Sequence, residues 1–266
     1  EKDPTIGLTA SQLYAQGKEF LDAADFNNAI RLFEVLEARY PFGKYSTQAM
    51  LDISYAYYAS NQKDEAIVEI NRFIRLYPNH PNVDYAYYLR ALSNFDKDAN
   101  VLSRFFGHDP SRYDVTDLKN SFNDFTIIVN RFPDSIYTED SINRLGFIKN
   151  QIARNELYIA KYYDKRSANV AAIERVKFML ENYGGTPSSE EGLIILVKNY
   201  NDIGLYDLAY DSARVLKKNY PDYEIVQTVN DVKVFKKKKK DVIPNSESSA
   251  DINDSWIDIL NPINWF

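Results

Sequence analysis

The sequence predicts an all-α fold, a solenoid of about five helix pairs followed by an irregular C-terminal tail. Three observations predict it. Aromatic-proline pairs recur along the chain, each closing a stretch with helical periodicity: Tyr40-Pro41, Tyr77-Pro78, Phe132-Pro133 and Tyr220-Pro221, with Tyr183-Gly184 completing the set. Tyr40 and Tyr77 stand 37 residues apart, as do Tyr183 and Tyr220, and a fixed period of this size marks stacked helical hairpins. Gly (9) and Pro (10) are too few in 266 residues to supply the turns of an all-β fold.

The interior of each unit supports the same reading. A small residue, an aromatic, an alanine and a closing residue follow one another at the same intervals. The sets are Gly17, Phe20, Ala29 and Pro41; Ser54, Tyr57, Ala66 and Pro78; Ala160, Tyr163, Ala172 and Gly184; and Val197, Tyr200, Ala209 and Pro221. Val197 is large for its place. The order is that of a tetratricopeptide-type repeat. Small residues let two antiparallel helices approach, the aromatic fills the space beside them, and proline stops the second helix.

The pattern predicts a short N-terminal linker over 1–8 and a tetratricopeptide-type solenoid over 9–222. Its repeats are placed at about 9–41, 45–78, 81–133, 138–184 and 188–221. Thr9, Ser11, Asp64, Ser135 and Ser188 stand where N-caps are wanted, because their side-chain oxygens can accept first-turn amides. Asp25-Phe26, Gln62-Lys63 and Leu205-Tyr206 mark turns inside repeats. The third unit departs from the others. Its helices are predicted at about 83–98 and 114–131, with an apolar insertion from Val101 to Pro110 between them. Phe105 and Phe106 in this insertion either plug the solenoid or contact a partner.

After Pro221 the composition changes. Residues 223–266 form a C-terminal extension, and 223–235 are expected to make a short helix or strand capping the last repeat. Five lysines follow, Lys236 to Lys240, read as a solvated linker or an anionic-lipid patch. A polar linker leads to an aromatic end that holds both tryptophans. Trp256, Trp265 and Phe266 either fold back on the solenoid or anchor a partner protein or a membrane interface.

Composition excludes several functions. The formal net charge is −6, the opposite of the balance a general nucleic-acid binder shows. There is no cysteine, hence no disulfide, thiolate or Cys-zinc chemistry. No apolar run approaches the ~18 residues of a membrane span. The chain begins at Glu1 rather than Met, as a processed or trimmed chain would. His80 and His108 lack a partner histidine at helical spacing, and Gly184-Gly185 is not followed by the Lys-Ser/Thr of a phosphate loop. No catalytic, metal or cofactor site is expected, and the chain reads as a non-enzymatic binder of polypeptides.

Four stretches carry a resemblance to a known family. They are Arg39 to Ser46 with Asp52 to Tyr58, Arg72 to Pro81 with Asp84-Tyr85, Phe105 to Asp109, and Ala160 to Val176. Over roughly residues 7 to 221 the chain resembles the BamD family, tetratricopeptide lipoproteins of the bacterial outer-membrane β-barrel assembly (BAM) complex. The third stretch is the most specific, because generic tetratricopeptide proteins lack it. The resemblance implies a module on the periplasmic face of the outer membrane, lipid-anchored through a cysteine that is not in the numbered chain. It implies docking on the POTRA domains of BamA, contact with other BAM subunits, and help in receiving unfolded outer-membrane proteins. It further implies that Arg175 pairs with an acidic POTRA residue; a surface ion pair on a helix face is the alternative. Tyr57, Tyr58, Arg72 and Arg75 are the candidates for the substrate groove, although Tyr57 also fits the core aromatic place. An adaptor of another envelope complex, in division or secretion, is the rival reading.

Overall fold

The computed structural model describes residues 4–105, 114–228 and 231–235, with side chains from 4 to 97 and from 114 to 223. Among these residues ten helices run in five antiparallel pairs. They are α1 (Ala10–Asp22) with α2 (Phe26–Arg39), α3 (Lys44–Ala59) with α4 (Lys63–Leu76), α5 (Val83–Phe105) with α6 (Thr116–Arg131), α7 (Thr138–Asp164) with α8 (Asn169–Tyr183), and α9 (Ser188–Asp202) with α10 (Tyr206–Asn219). The fold is a tetratricopeptide-type solenoid.

Local chemistry sets the helix ends. Thr9 forms a capping box with Gln12: the Gln12 amide donates to Thr9 Oγ1 (3.3 Å) and the Thr9 amide to Gln12 Oε1 (2.9 Å). Asp25, read from sequence only as a turn, caps α2 by accepting the Asn28 amide. Of the other expected caps, Ser11 lies inside α1 and Asp64 in the first turn of α4, where a carboxylate favours the positive helix end. Ser135 instead donates its hydroxyl to Asp84 at 2.6 Å, three residues before α7 begins. Four of the five second helices end alike. Tyr40, Tyr77, Phe132 and Tyr220 have φ near −130° and ψ between 56° and 81°, and each amide still bonds to the carbonyl four residues back. The following proline forces that extended backbone and removes the next donor.

The small positions do the steric work the pattern implies. A Cβ on Gly17 would overlap the Phe33 ring, so glycine there lets α2 close on α1. Ala29, Ala66, Ala172 and Ala209 are fully buried, as are Ser54 and Ala160. Val197 is also buried, at 3 % exposure.

The described residues divide into two compact units. The first holds α1 to α6 and α7 as far as Leu145; the second holds α7 from Gly146, α8, α9, α10 and a β-hairpin. In the first, α1 packs on α3 and α3 on α5, and each helix from α1 to α6 packs on the next in sequence. Residues 4–8, expected as a linker, are fastened down: Thr5 is 2 % exposed, and its carbonyl and hydroxyl both accept hydrogen bonds from Arg39.

One helix differs from the sequence expectation. Helix α5 does not stop near Asp98 but runs through Phe105, because no Gly or Pro interrupts it before Gly107. The Phe105 side chain and Phe106 lie outside the described residues. Of the short helix or strand expected over 223–235, the described residues 224–228 and 231–235 take the strand. Strands β1 (Glu224–Thr228) and β2 (Asp231–Phe235) pair antiparallel, and β2 packs against α9 and α10. Val232 and Val234 alternate along β2, Val234 stands opposite Ile225 in the register, and such β-branched residues suit a strand ladder. Trp256, Trp265 and Phe266 fall outside the described residues.

Candidate partner-binding surfaces

In the first unit, the groove candidates fall on two sides. Tyr57 is half-buried and packs against both hydrophobic clusters of the unit, one built on Leu13, Phe33 and Ile53, the other on Met50, Ile70 and Phe73. Burial, with Glu34, Glu69 and Glu65 nearby, holds its hydroxyl above the usual phenol range. Arg72 of α4 lies on the same side. Its Nη2 donates to Glu37 of α2 (2.7 Å) and its Nη1 to Glu69 (2.9 Å). These bonds, the Glu37 one foremost, push the guanidinium pKa up. The other oxygen of Glu37 is buried without a hydrogen-bond partner among the described residues. Arg75, at the end of α4, is exposed.

Tyr58 points elsewhere. Its hydroxyl donates to Asp96 of α5 at 2.6 Å, and Lys63 sits 3.4 Å above its ring. Burial, then the Asp96 carboxylate, pushes this phenol well above its ordinary range. The bond belongs to a ladder joining the first helices of successive repeats: Tyr14 to Asp52 (2.8 Å), Tyr58 to Asp96, and Tyr88 to Asp140 (2.8 Å).

The first unit also has a cleft of about 510 Å³ that the sequence did not disclose. Its walls come from the start of α3, the start of α5 and the connection into α7. Asp52, Asp84 and Asp134 supply carboxylates, and among the described residues no Lys or Arg lines it. Tyr85 and Tyr137 form an aromatic side, their rings 5.7 Å apart. Ile136 stands at the wall 84 % exposed. Acidic, aromatic and apolar groups together suit an extended polypeptide bearing cationic and apolar side chains. No local motif marks the cleft, because its residues are joined only by the stacking of three repeats.

In the second unit, Arg175 lies on α8 and Glu156 on α7. Arg175 Nη1 donates to Glu156 Oε2 at 3.0 Å. The Glu156 side chain is 1 % exposed and that of Arg175 42 %. Sequence reasoning picked out Arg175 but not the buried acid beneath it.

Among the described residues no group of His, Asp and Glu converges as a metal site requires, and no helix is long and apolar enough to cross a membrane. Fold and surfaces together define a helical-repeat protein of tetratricopeptide type. The chain belongs to the BamD family: the family model for YfiO, described as an outer membrane lipoprotein, matches residues 7–216. The outer membrane protein assembly factor BamD of Neisseria meningitidis serogroup A is 38% identical over 223 residues, spanning 83% of this chain and 84% of the relative. The BamD of Xylella fastidiosa strain Temecula1 is 35% identical, spanning 84% of this chain and 76% of the relative. A solved tetratricopeptide repeat protein from Parabacteroides merdae is 12% identical, with a TM-score of 0.40 over 80% of this chain and 67% of that one.

Proposed function

We propose that this chain is a non-enzymatic assembly factor for outer-membrane proteins. In this reading it sits on the periplasmic face of the outer membrane, held by a lipid on an N-terminal cysteine outside the numbered chain. The observation that carries the reading is the match to relatives named as outer membrane protein assembly factors, which spans most of both chains.

The two units divide the work. The second unit docks on the POTRA domains of BamA through Arg175, whose guanidinium is fixed at one edge and half-exposed. A planar fork of this kind suits a partner carboxylate. The first unit receives unfolded outer-membrane proteins, at the acidic cleft and along the surface bearing Tyr57, Arg72 and Arg75. Tyr58 contributes by fixing α3 to α5 rather than by offering a free hydroxyl. The aromatic end with Trp256, Trp265 and Phe266 and the Phe105-Phe106 pair serve as contacts for other BAM subunits.

The test is a titration of purified POTRA domains of BamA into the purified chain. The wild type is expected to bind. Arg175→Gln is expected to lose about tenfold or more in affinity, as truncation of a central charged anchor does. Absence of binding by the wild type would overturn the docking assignment.

A further inference from the structure

We infer that Glu156 is a positioning residue for docking: from beneath the surface it holds the Arg175 guanidinium in the one orientation that presents a free edge to a partner carboxylate. This rests on the proposed docking through Arg175.

Three observations lead to it. Glu156 is among the most buried charged side chains described, and its carboxylate meets Arg175 across the α7–α8 pair. Only Nη1 of Arg175 is engaged among the described residues, so Nε and Nη2 retain their donors on a side chain 42 % exposed. The neighbouring charges on α8 are occupied with each other, Lys177 donating to Glu174 at 3.1 Å. A guanidinium with one edge satisfied from below and the other open is arranged for bidentate capture of a carboxylate.

The energetics favour a positioning role over a purely cohesive one. Burying a carboxylate to join two helices is costly, and an apolar pair of similar volume generally joins them as well or better. What the acid supplies is orientation. A free arginine loses much rotamer freedom when it docks, and ordering it beforehand reduces that loss. The same pair explains why charge reversal at Arg175 is a poor probe. A glutamate there would face Glu156, and binding would fall through local unfolding whether or not Arg175 touches a partner.

The experiment titrates purified POTRA domains of BamA into wild type, Glu156→Gln, Arg175→Gln and the double variant, with thermal unfolding recorded for each. Glu156→Gln keeps the shape and an acceptor oxygen but loses the charge. It is expected to weaken binding about tenfold, and to add nothing further in the Arg175→Gln background. Wild-type affinity for Glu156→Gln, or an equal loss in both backgrounds, would overturn the inference, since the second result marks a merely structural residue. If Arg175→Gln itself binds as wild type does, the docking assignment fails instead. Should Glu156→Gln not fold, Arg175→Lys takes its place. It keeps a charge over the acid but lacks the fork, so folding with lost affinity is expected, and wild-type affinity would overturn the inference.

Discussion

Arg90 grips Asp124 with two parallel hydrogen bonds, Nε to Oδ2 at 2.8 Å and Nη2 to Oδ1 at 2.5 Å. The pair ties α5 to α6, and the Asp124 side chain is only 6 % exposed. Removing the arginine leaves a buried carboxylate without its counter-charge. Arg90→Ala is therefore expected to destabilise the chain by about 3–5 kcal/mol, read as a shift of the urea midpoint. Arg90→Met with Asp124→Leu is expected to recover most of that loss. A single variant as stable as the wild type would show that the pair holds nothing together.

Two glycines in helices predict opposite outcomes. Gly17→Ala drives a methyl into the Phe33 ring and is expected to cost about 1–3 kcal/mol. Gly146, inside α7, has open space where a Cβ would go. Gly146→Ala is expected to gain about 0.5–1 kcal/mol from backbone entropy alone. Denaturant unfolding of both variants checks the signs.

Hydroxyl deletion tests the ladder between first helices. Tyr58→Phe removes the donor to Asp96 and leaves the ring in place under Lys63. The expected loss is about 1.5–3 kcal/mol for a bond to a charged acceptor. Tyr14→Phe, which removes the donor to Asp52, is expected to lose a similar amount. Amide exchange in α3 and α5 should quicken in Tyr58→Phe if this bond fastens the two repeats.

Asp52 predicts a pH dependence. Burial raises its pKa above the usual 3.8, against the lowering effects of the Tyr14 hydroxyl and Lys18. An acid raised on folding favours the folded state when protonated. Its contribution is full below pH 3.8 and is lost as pH rises through the folded-state value. Asp52→Asn mimics the protonated form at every pH. The wild type is thus expected to gain stability relative to Asp52→Asn as pH falls from neutrality toward 4. A stability difference that stays constant over that range would refute the assignment.

The sequence made the fold legible because its determinants are local. A proline after an aromatic stops a helix wherever it stands, and a glycine or alanine at the crossing point admits the partner helix, as Gly17 admits Phe33. The site was less legible because its bonds are tertiary. Even so, many partners stand about one repeat apart: Arg90 and Asp124, Glu37 and Arg72, Tyr14 and Asp52, Asp164 and Lys198. Once the period is known, opposite charges or a Tyr and an Asp at that separation become candidate pairs. Glu156 and Arg175 escape this rule, since they join the two helices of one repeat. The length of α5 was missed, since it turns on the absence of a breaker before Gly107; helix and strand stayed open over 223–235, because packing against α9 and α10 is tertiary.

Site-specific photocrosslinking in the intact cell envelope tests the central claim most directly. A photoreactive residue replaces Phe178, close to Arg175 on α8, or Ile136 at the cleft of the first unit. Adducts with BamA are expected from position 178, and with newly exported outer-membrane proteins from position 136. Adducts with neither, or with components of another envelope complex from both positions, would contradict the role in outer-membrane protein assembly.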